Sequence, residues 1–518
     1  MKNYIKNLQS DIPSAIVVFL VAIPLCLGIA VASGVNEFSG LVAGVVGGVV
    51  VGFLSGSHLS VSGPAAGLTA IVVAAVTKLP AVEAFFLAVV LAGILQLLMG
   101  FFKMGVIGHY IPNSVIKGLL AAIGIILIIK QIPYLIGIES GEYPALSELF
   151  SALAANVTPL AMFIGLIGIA ILIVYETKWV KSKKIFQVVN GPLVAVLVGV
   201  LMYSFAGSGG AMNPGHLINL PVTNSFEEFT GLFQHPDFSY LANGDVWVIA
   251  VTLALVASLE TLLGIEAVDK IDPYKRITPN NRELLAQGSG NIISGLLGGL
   301  PLTSVIVRSS ANMNAGAKTK SSTIIHGLMI LVCVAFFPAI LNLIPKAALA
   351  AVLIFTGYKL AKVSLFKEYF RKGWDQFIPF VVTTGAIVIT DLLMGVIIGI
   401  IVAVFYILRD NFRTSIFMVK DRDNYLLRLR KDVSFFSKPI IKKKFESIPE
   451  NSNLLIDITR AEYIDRDIME TIQEFIEQAP NKNIKVQVSG TVMHGSGSKG
   501  FVNINQLKPK RVYDDVAH

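Results

Sequence analysis

The sequence is poor in charged residues and in cysteine. Only 15% of its 518 residues are charged and 54% are hydrophobic, whereas about a quarter of the residues of a soluble protein are charged. This composition excludes a water-soluble fold, because so many apolar side chains could not all be hidden from water. The two cysteines, Cys26 and Cys333, lie inside apolar runs. They therefore indicate neither a disulfide framework nor a metal site.

Motifs of enzymes and of nucleic-acid-binding proteins are also absent. The sequence contains no HExxH, P-loop or GxSxG motif, and its histidines have no second ligand at a metal-binding spacing. We therefore expect neither enzymatic activity nor a cofactor or metal. The net charge of +8 is the expected result of basic cytoplasmic loops in a membrane protein, so it does not indicate nucleic-acid binding.

Apolar runs that approach the width of a bilayer occur along most of the chain. They predict a polytopic α-helical membrane protein with about fourteen segments. These segments are residues 14–33, 38–55, 61–76, 84–101, 115–137, 158–176, 190–206, 246–264, 284–298, 302–314, 323–344, 347–360, 376–390 and 392–408.

The charges between these segments predict the orientation of the chain. Lysines and arginines cluster in alternate loops, for example in residues 178–184 and 362–372. The long loops 138–157 and 207–245 instead carry acidic residues and no lysine or arginine. Because basic residues collect on the cytoplasmic side, we expect a multi-pass protein of the cytoplasmic membrane with both termini in the cytosol.

Two of the predicted segments, 61–76 and 302–314, are too short to cross a bilayer alone. The first begins with a Ser-Gly-Pro sequence ending at Pro64, and the second follows a Gly-Leu-Pro sequence ending at Pro301. Each is the third segment of a half if the chain divides into seven plus seven, and repeats of odd number must be inverted. Interrupted segments at corresponding positions of inverted halves indicate the midplane site of a transporter.

Each short segment is predicted to be a half-helix, because proline is favoured in the first helical turn and glycine permits an unwound approach. Two such N-termini would present free N–H groups and partial positive charge to an anion. Arg308 is predicted to lie two turns into the second half-helix, and an arginine deep in a span indicates a functional site. Two Pro-kinked spans and a snorkelling interfacial arginine are the alternatives.

Glu260 is a second ionisable residue within an apolar run, residues 255–263. It could carry a coupling proton, contribute to a sodium site, or form an ion pair with Arg308. The sequence leaves these three roles open.

The composition changes after Asp410 to alternating charged and apolar residues. Strands are predicted at 414–420, 425–430, 453–458 and 484–488, and helices at 439–446 and 467–478. Residues 1–411 are thus predicted to form the transmembrane domain and residues 412–490 a small cytosolic α/β domain. Residues 491–518, rich in glycine, serine and lysine, are predicted to be a tail.

Several short motifs occur together in this chain. They are Pro24, Ser62-Gly63-Pro64, Asn281-Arg282-Glu283-Leu284-Leu285-Ala286-Gln287-Gly288 with Asn291, and then Pro301, Thr303, Ser304, Arg308 and Ser309. Together with the C-terminal α/β domain they resemble the SulP family of anion permeases, which includes bacterial sulfate and bicarbonate transporters. The resemblance covers about residues 10–490.

The resemblance implies fourteen spans in seven-plus-seven inverted repeats, a homodimer and a C-terminal STAS domain. A core domain, about 12–113 and 246–344, would move against a gate domain, about 114–206 and 345–411. The implied substrate-binding residues are Pro24, Pro64, Ala65, Ala66, Gly67, Leu302, Thr303, Ser304 and Arg308. The implied coupling-ion residues are Glu260, Thr261 and Gly264.

The chain departs from the family's pattern at three places. Ala65 stands where animal members often carry an aromatic residue. Glu260 and Gly264 stand where sodium-coupled members carry aspartate and threonine, so proton coupling through Glu260 competes with sodium coupling. The stretch 458–467 lacks the serine that is phosphorylated in soluble relatives of the STAS domain, so we expect an assembly or trafficking role for that domain.

From these observations we expect alternating-access secondary transport of a small inorganic anion, bicarbonate or sulfate, coupled to H⁺ or Na⁺. The lipid bilayer and a second copy of the chain are the other expected partners. One alternative is a nucleobase permease of similar fold, in which Arg308 would have no obvious task. The other is an uncoupled anion channel that uses the same electropositive site.

Overall fold

A computed structural model describes residues 2–106, 111–138, 157–181, 191–207, 212–223, 225–390, 392–414, 416–490, 492–493 and 501–502. The chain divides into two compact units, Met1–Ile400 and Ile401–His518. The domain boundary predicted at 411/412 lies within a helix, Leu392–Thr414. The predicted tail, 491–518, lies outside the described residues except for two short strands, β7 (Val492–Met493) and β8 (Phe501–Val502).

The described residues of the first unit are mostly helical. Its first half contains α1 (Lys2–Ser33), α2 (Glu37–Val46), α3 (Gly52–Leu54), α4 (Thr69–Lys78), α5 (Val82–Phe101), α6 (Asn113–Ile136), α7 (Pro159–Glu176), α8 (Lys178–Lys181) and α9 (Gly191–Met202). A π-helical turn, Gly47–Val51, joins α2 to α3.

The second half of the unit begins after a long connection that contains the short helix α10 (Phe226–Thr230). It contains α11 (Gly244–Ile271), α12 (Asn280–Leu296), α13 (Ile306–Asn314), α14 (Ser321–Phe336), α15 (Pro338–Leu341), α16 (Lys346–Leu360), α17 (Val363–Lys372) and α18 (Trp374–Ile389). Helix α19 (Leu392–Thr414) then leads into the second unit.

Each of the fourteen predicted segments contains a helix. Seven helical segments are long and apolar enough to cross a bilayer, and five shorter apolar helices accompany them within the described residues. The two remaining predicted segments correspond to α12 and α13. The predicted polytopic helical fold is therefore confirmed.

Two three-residue strands lie among the helices of the first unit. Strand β1 (Ser62–Pro64) pairs with strand β2 (Leu302–Ser304) in antiparallel orientation. The two strands occupy corresponding places in the two halves of the chain. Their antiparallel pairing agrees with the inverted repeats.

The second unit contains a four-stranded sheet with two helices. Its elements are β3 (Ile416–Asp421), β4 (Asn424–Val433), α20 (Lys438–Glu446), β5 (Asn453–Ile464), α21 (Arg466–Gln478) and β6 (Lys485–Ser489). The strand order is β3-β4-β5-β6, with β4, β5 and β6 parallel. Buried leucine and isoleucine side chains, such as Leu427 and Ile456, form its core. The predicted order of strands and helices is confirmed.

Candidate functional site

The candidate site is built around the pairing of β1 with β2. Ser62 is paired with Ser304 and Gly63 with Thr303. Beyond the strands, the Val305 N–H donates to the Val61 carbonyl oxygen at 2.9 Å. This pairing brings together two chain segments that are about 240 residues apart in the sequence.

A helix begins directly after each strand. A 3₁₀ turn, Ala66–Leu68, leads into α4, and Val305 precedes the first residue of α13. Neither start has a capping side chain, so first-turn N–H groups of both helices lack a side-chain acceptor. The prediction of two half-helices is confirmed in this respect.

The predicted position of the two prolines is wrong. Pro64 is the last residue of β1, and Pro301 precedes β2, so neither lies in the first turn of a helix. Proline is tolerated at the ends of short strands, where its missing N–H group removes no necessary hydrogen bond. As a consequence, Arg308 lies in the first turn of α13, not two turns into it as predicted.

Arg308 is a fully buried cation. Its side chain is 0% exposed, and within the described residues none of its three guanidinium nitrogens makes a hydrogen bond. The guanidinium lies against Gly63, in the direction in which a Cβ atom at that position would point. A buried unpaired cation is costly, so this arrangement suits a bound anion. Its burial argues against the snorkelling alternative.

Glu260 lies beside the other helix start. A Cβ atom on Gly67 would come within 2.6 Å of its Oε1 atom. Its Oε2 atom is buried and has no hydrogen-bond partner in the described part of the chain. An ion pair with Arg308, one of the three roles that the sequence leaves open for Glu260, is not formed, because none of the Arg308 nitrogens has a hydrogen-bond partner within the described residues.

The other predicted coupling-ion residues contact β2. The Ser304 N–H donates to the Thr261 hydroxyl at 3.4 Å. A Cβ atom on Gly264 would lie 2.7 Å from the Ser304 carbonyl oxygen. Helix α11 therefore brings Thr261 and Gly264 to β2 and Glu260 to the helix start that follows β1.

The remaining predicted substrate-binding residues are distributed over both strands and α1. Ala65 and Gly67 are buried, and Ala66 is half-buried. Leu302, Thr303 and Ser304 form β2 and are buried. Pro24 is buried within α1, a helix that packs on β1 and on α13.

Two further polar residues near the paired strands, Ser60 and Thr69, were not predicted from the sequence. The Ser60 and Ser304 hydroxyls share a hydrogen bond of 2.6 Å, and the Ser309 hydroxyl accepts from the Val61 N–H at 2.9 Å. The hydroxyls of Thr69 and Thr303 are buried without partners among the described residues. A signal for Thr69 is its place just after the Ser-Gly-Pro sequence, but only the fold relates it to β2.

The sequence model of the sulfate permease family matches residues 8–383 of this chain. The chain belongs to the sulfate permease family. Its relatives include YvdB of Bacillus subtilis (strain 168), a proposed sulfate transporter, which is 28% identical over 80% of this chain and 76% of the relative. The bicarbonate transporter BicA of Picosynechococcus sp. (strain ATCC 27264 / PCC 7002 / PR-6) is 25% identical, and the match covers 78% of this chain and 70% of the BicA sequence.

Solved structures of this fold agree with the family assignment. The transmembrane domain of a cyanobacterial bicarbonate transporter BicA superposes with a TM-score of 0.65 at 25% identity, covering 75% of this chain and 97% of that domain. SLC26A9 superposes with a TM-score of 0.70 at 16% identity, and the superposition covers 93% of this chain and 84% of the SLC26A9 chain. The resemblance to SulP proteins is thus confirmed, and the chain is a polytopic membrane protein of this family.

Proposed function

We propose that the protein carries out secondary active transport of a small oxyanion, bicarbonate or sulfate, by alternating access. The observation that carries this proposal is the buried guanidinium of Arg308, which makes no ion pair with a carboxylate among the described residues and lies near two uncapped helix starts. A cation and free N–H groups in one place suit a bound oxyanion. A neutral nucleobase would leave the Arg308 charge unpaired.

The proposal includes a division of the chain into domains and an orientation in the membrane. The core, about 12–113 and 246–344, carries the anion site and moves against the gate, about 114–206 and 345–411. The protein lies in the cytoplasmic membrane with both termini in the cytosol, because its basic loops alternate with acidic ones. It acts as a homodimer, and residues 412–490 serve in assembly or trafficking.

Glu260 is the coupling residue in this proposal, and the coupling ion is a proton. Its buried Oε2 atom has no partner among the described residues, so it can accept a proton without losing a hydrogen bond. Gly264 has no side-chain oxygen that could bind sodium. The Ser304 carbonyl oxygen occupies the space that a larger side chain at this position would need.

Uptake into proteoliposomes tests the substrate. Labelled bicarbonate, sulfate and chloride are offered to the wild type, to Arg308→Ala and to the surface control Arg371→Ala. Loss of the buried charge should lower oxyanion uptake by about a hundredfold, and the control should match the wild type. Full oxyanion uptake by Arg308→Ala would exclude the proposed site. Competition by uracil would instead indicate the nucleobase permease.

The same vesicles test the coupling ion. Proton and sodium gradients are imposed in turn on the wild type, on Glu260→Gln and on Glu266→Gln, whose carboxylate is half-exposed and paired with Lys270. We expect the proton gradient to drive uptake by the wild type and by Glu266→Gln but not by Glu260→Gln. Uptake driven by sodium alone would show sodium coupling, and flux that follows the anion gradient alone would show uncoupled transport, as expected of a channel.

A further inference from the structure

Helix α12 presents a row of buried polar side chains to the paired strands. Glu283, Gln287 and Asn291 follow one another at intervals of four residues, so they lie on one face of the helix. Each is at most 1% exposed. Buried polar groups are costly unless they are hydrogen-bonded. The hydrogen bonds of this row therefore indicate what it does.

Asn291 takes the place of a neighbouring strand for β2. Its Oδ1 atom accepts from the Leu302 N–H at 2.8 Å, and its Nδ2 atom donates to the Leu302 carbonyl oxygen at 3.2 Å. A strand partner would offer the same donor and acceptor. The β1–β2 sheet has only two strands, and so small a ribbon is marginal by itself. Asn291 is in turn held by Gln96, whose Oε1 atom accepts from its Nδ2 at 2.6 Å.

Gln287 holds the other strand. Its Nε2 atom donates to the Ser62 hydroxyl in β1 at 2.7 Å and to Glu283 Oε1 at 3.1 Å. Glu283 Oε2 also accepts from the Ser55 hydroxyl at 2.6 Å. One helix face thus bonds to β1, to β2 and to the segment that precedes β1.

The helix that carries this row is itself closely packed. Gly288 of α12 and Gly93 of α5 lie where the two helices cross, and a Cβ atom on either would come within 2.8 Å of the other's carbonyl oxygen. Such close backbone approach leaves α12 little freedom to shift. Its polar row can therefore fix the position of the strands against it.

We infer that Gln287 and Asn291 are positioning residues for anion binding. They set the distance between the two helix starts and the position of the Arg308 guanidinium. The inference rests on the proposed function, since it concerns the same site. Ser62, held by Gln287, precedes Gly63, against which Arg308 lies. Leu302, held by Asn291, begins the strand that leads into α13.

The test measures the concentration dependence of oxyanion uptake by Asn291→Ala and Gln287→Ala in proteoliposomes. Gln131→Ala is the matched control, because Gln131 is an equally buried amide in α6 that makes no hydrogen bond with either strand in the described chain. Loss of one strand contact should raise KM about tenfold while Vmax stays within about twofold. The control should keep both constants.

An unchanged KM in both variants, with only Vmax or the yield of folded protein reduced, would overturn the inference. If Asn291→Ala is not recovered folded, the KM of Gln287→Ala decides. Amide hydrogen exchange supplies a readout that needs no transport. We expect faster exchange at Leu302 in Asn291→Ala than in the wild type and in Gln131→Ala, and equal exchange would contradict the proposed hold on β2. Absence of bicarbonate and sulfate uptake by the wild type would refute the proposed function instead.

Discussion

The guanidinium of Arg308 lies in the space that a side chain at Gly63 would need. A Cβ atom at residue 63 would come within 3.2 Å of Arg308 Cζ and closer still to Nη1. Gly63 belongs to β1, and Arg308 belongs to the helix that follows β2. The strand pairing therefore determines both where the positive charge lies and which residue can face it.

Gly63→Ala should displace the Arg308 guanidinium and weaken oxyanion binding. Contacts below 3.0 Å cannot persist, and the backbone of a paired strand yields less readily than a side chain does. We expect KM for oxyanion uptake to rise by at least about tenfold, as for the loss of a charge-assisted hydrogen bond. Uptake measured against anion concentration checks this.

The control for this substitution is Gly385→Ala in α18, where a Cβ atom would meet no atom within 4 Å. It adds the same methyl group without displacing any neighbour, so its uptake should equal that of the wild type. A normal KM in Gly63→Ala would show that the position of Arg308 does not depend on Gly63.

Gly264→Thr should abolish uptake without creating sodium dependence. A Cβ atom there would lie 2.7 Å from the Ser304 carbonyl oxygen and 3.0 Å from its hydroxyl, so a threonine would push α11 away from β2. Uptake measured with and without a sodium gradient checks this expectation, again with Gly385→Ala as the control. Rapid sodium-driven uptake by the variant would contradict it.

Linking residues 37 and 346 should stop the transport cycle. Glu37 at the start of α2 and Lys346 at the start of α16 form a largely buried ion pair of 3.6 Å, and they belong to the proposed core and gate respectively. If these domains move apart during transport, a covalent link should reduce uptake to background. The measurement uses Glu37→Cys with Lys346→Cys and a short thiol cross-linker, in a chain with Cys26→Ala and Cys333→Ala.

Reduction of a cleavable cross-linker should restore uptake, and each single-cysteine chain should be insensitive to the reagent. Normal uptake by a fully cross-linked protein would exclude relative movement at this point. It would then contradict the proposed division into core and gate.

Asp457 should make the stability of the second unit depend on pH. Hydrogen bonds from the Thr459 hydroxyl, at 2.6 Å, and from Arg428 Nε, also at 2.6 Å, hold the pKa of the Asp457 carboxyl below its usual value of 3.8. A lowered folded-state pKa stabilises the fold above the unfolded-state pKa, and this contribution is lost as pH falls through the folded-state value.

Asp457→Asn should therefore destabilise the second unit by about 1–2 kcal/mol at pH 7, and the difference should shrink below about pH 4. Hydrogen exchange of β5 amides in the full-length protein, corrected for intrinsic rates, measures this. Glu474→Gln, at an exposed position on α21, should cause no such change. A difference that is independent of pH would exclude the ionised carboxyl as its cause.

Some parts of the site could be predicted from local sequence and others could not. The Gly-Pro and Leu-Pro sequences predicted two interrupted segments, because proline and glycine restrict the backbone locally. They also led to the wrong helix start, since a proline is equally compatible with the end of a short strand. Whether residues 302–304 form a strand or a helical turn depends on hydrogen bonds to Asn291 and to β1, and β1 is remote in the sequence.

The sequence by itself determined the fourteen segments, the α/β order of the second unit and the importance of Arg308 and Glu260, because hydropathy, charge and proline act locally. Only the tertiary structure decided that Arg308 faces Gly63, that Glu260 lies beside Gly67, and that these two ionisable side chains do not pair. These relationships depend on which segments cross at β1 and β2. That crossing is fixed by contacts between residues far apart in the chain.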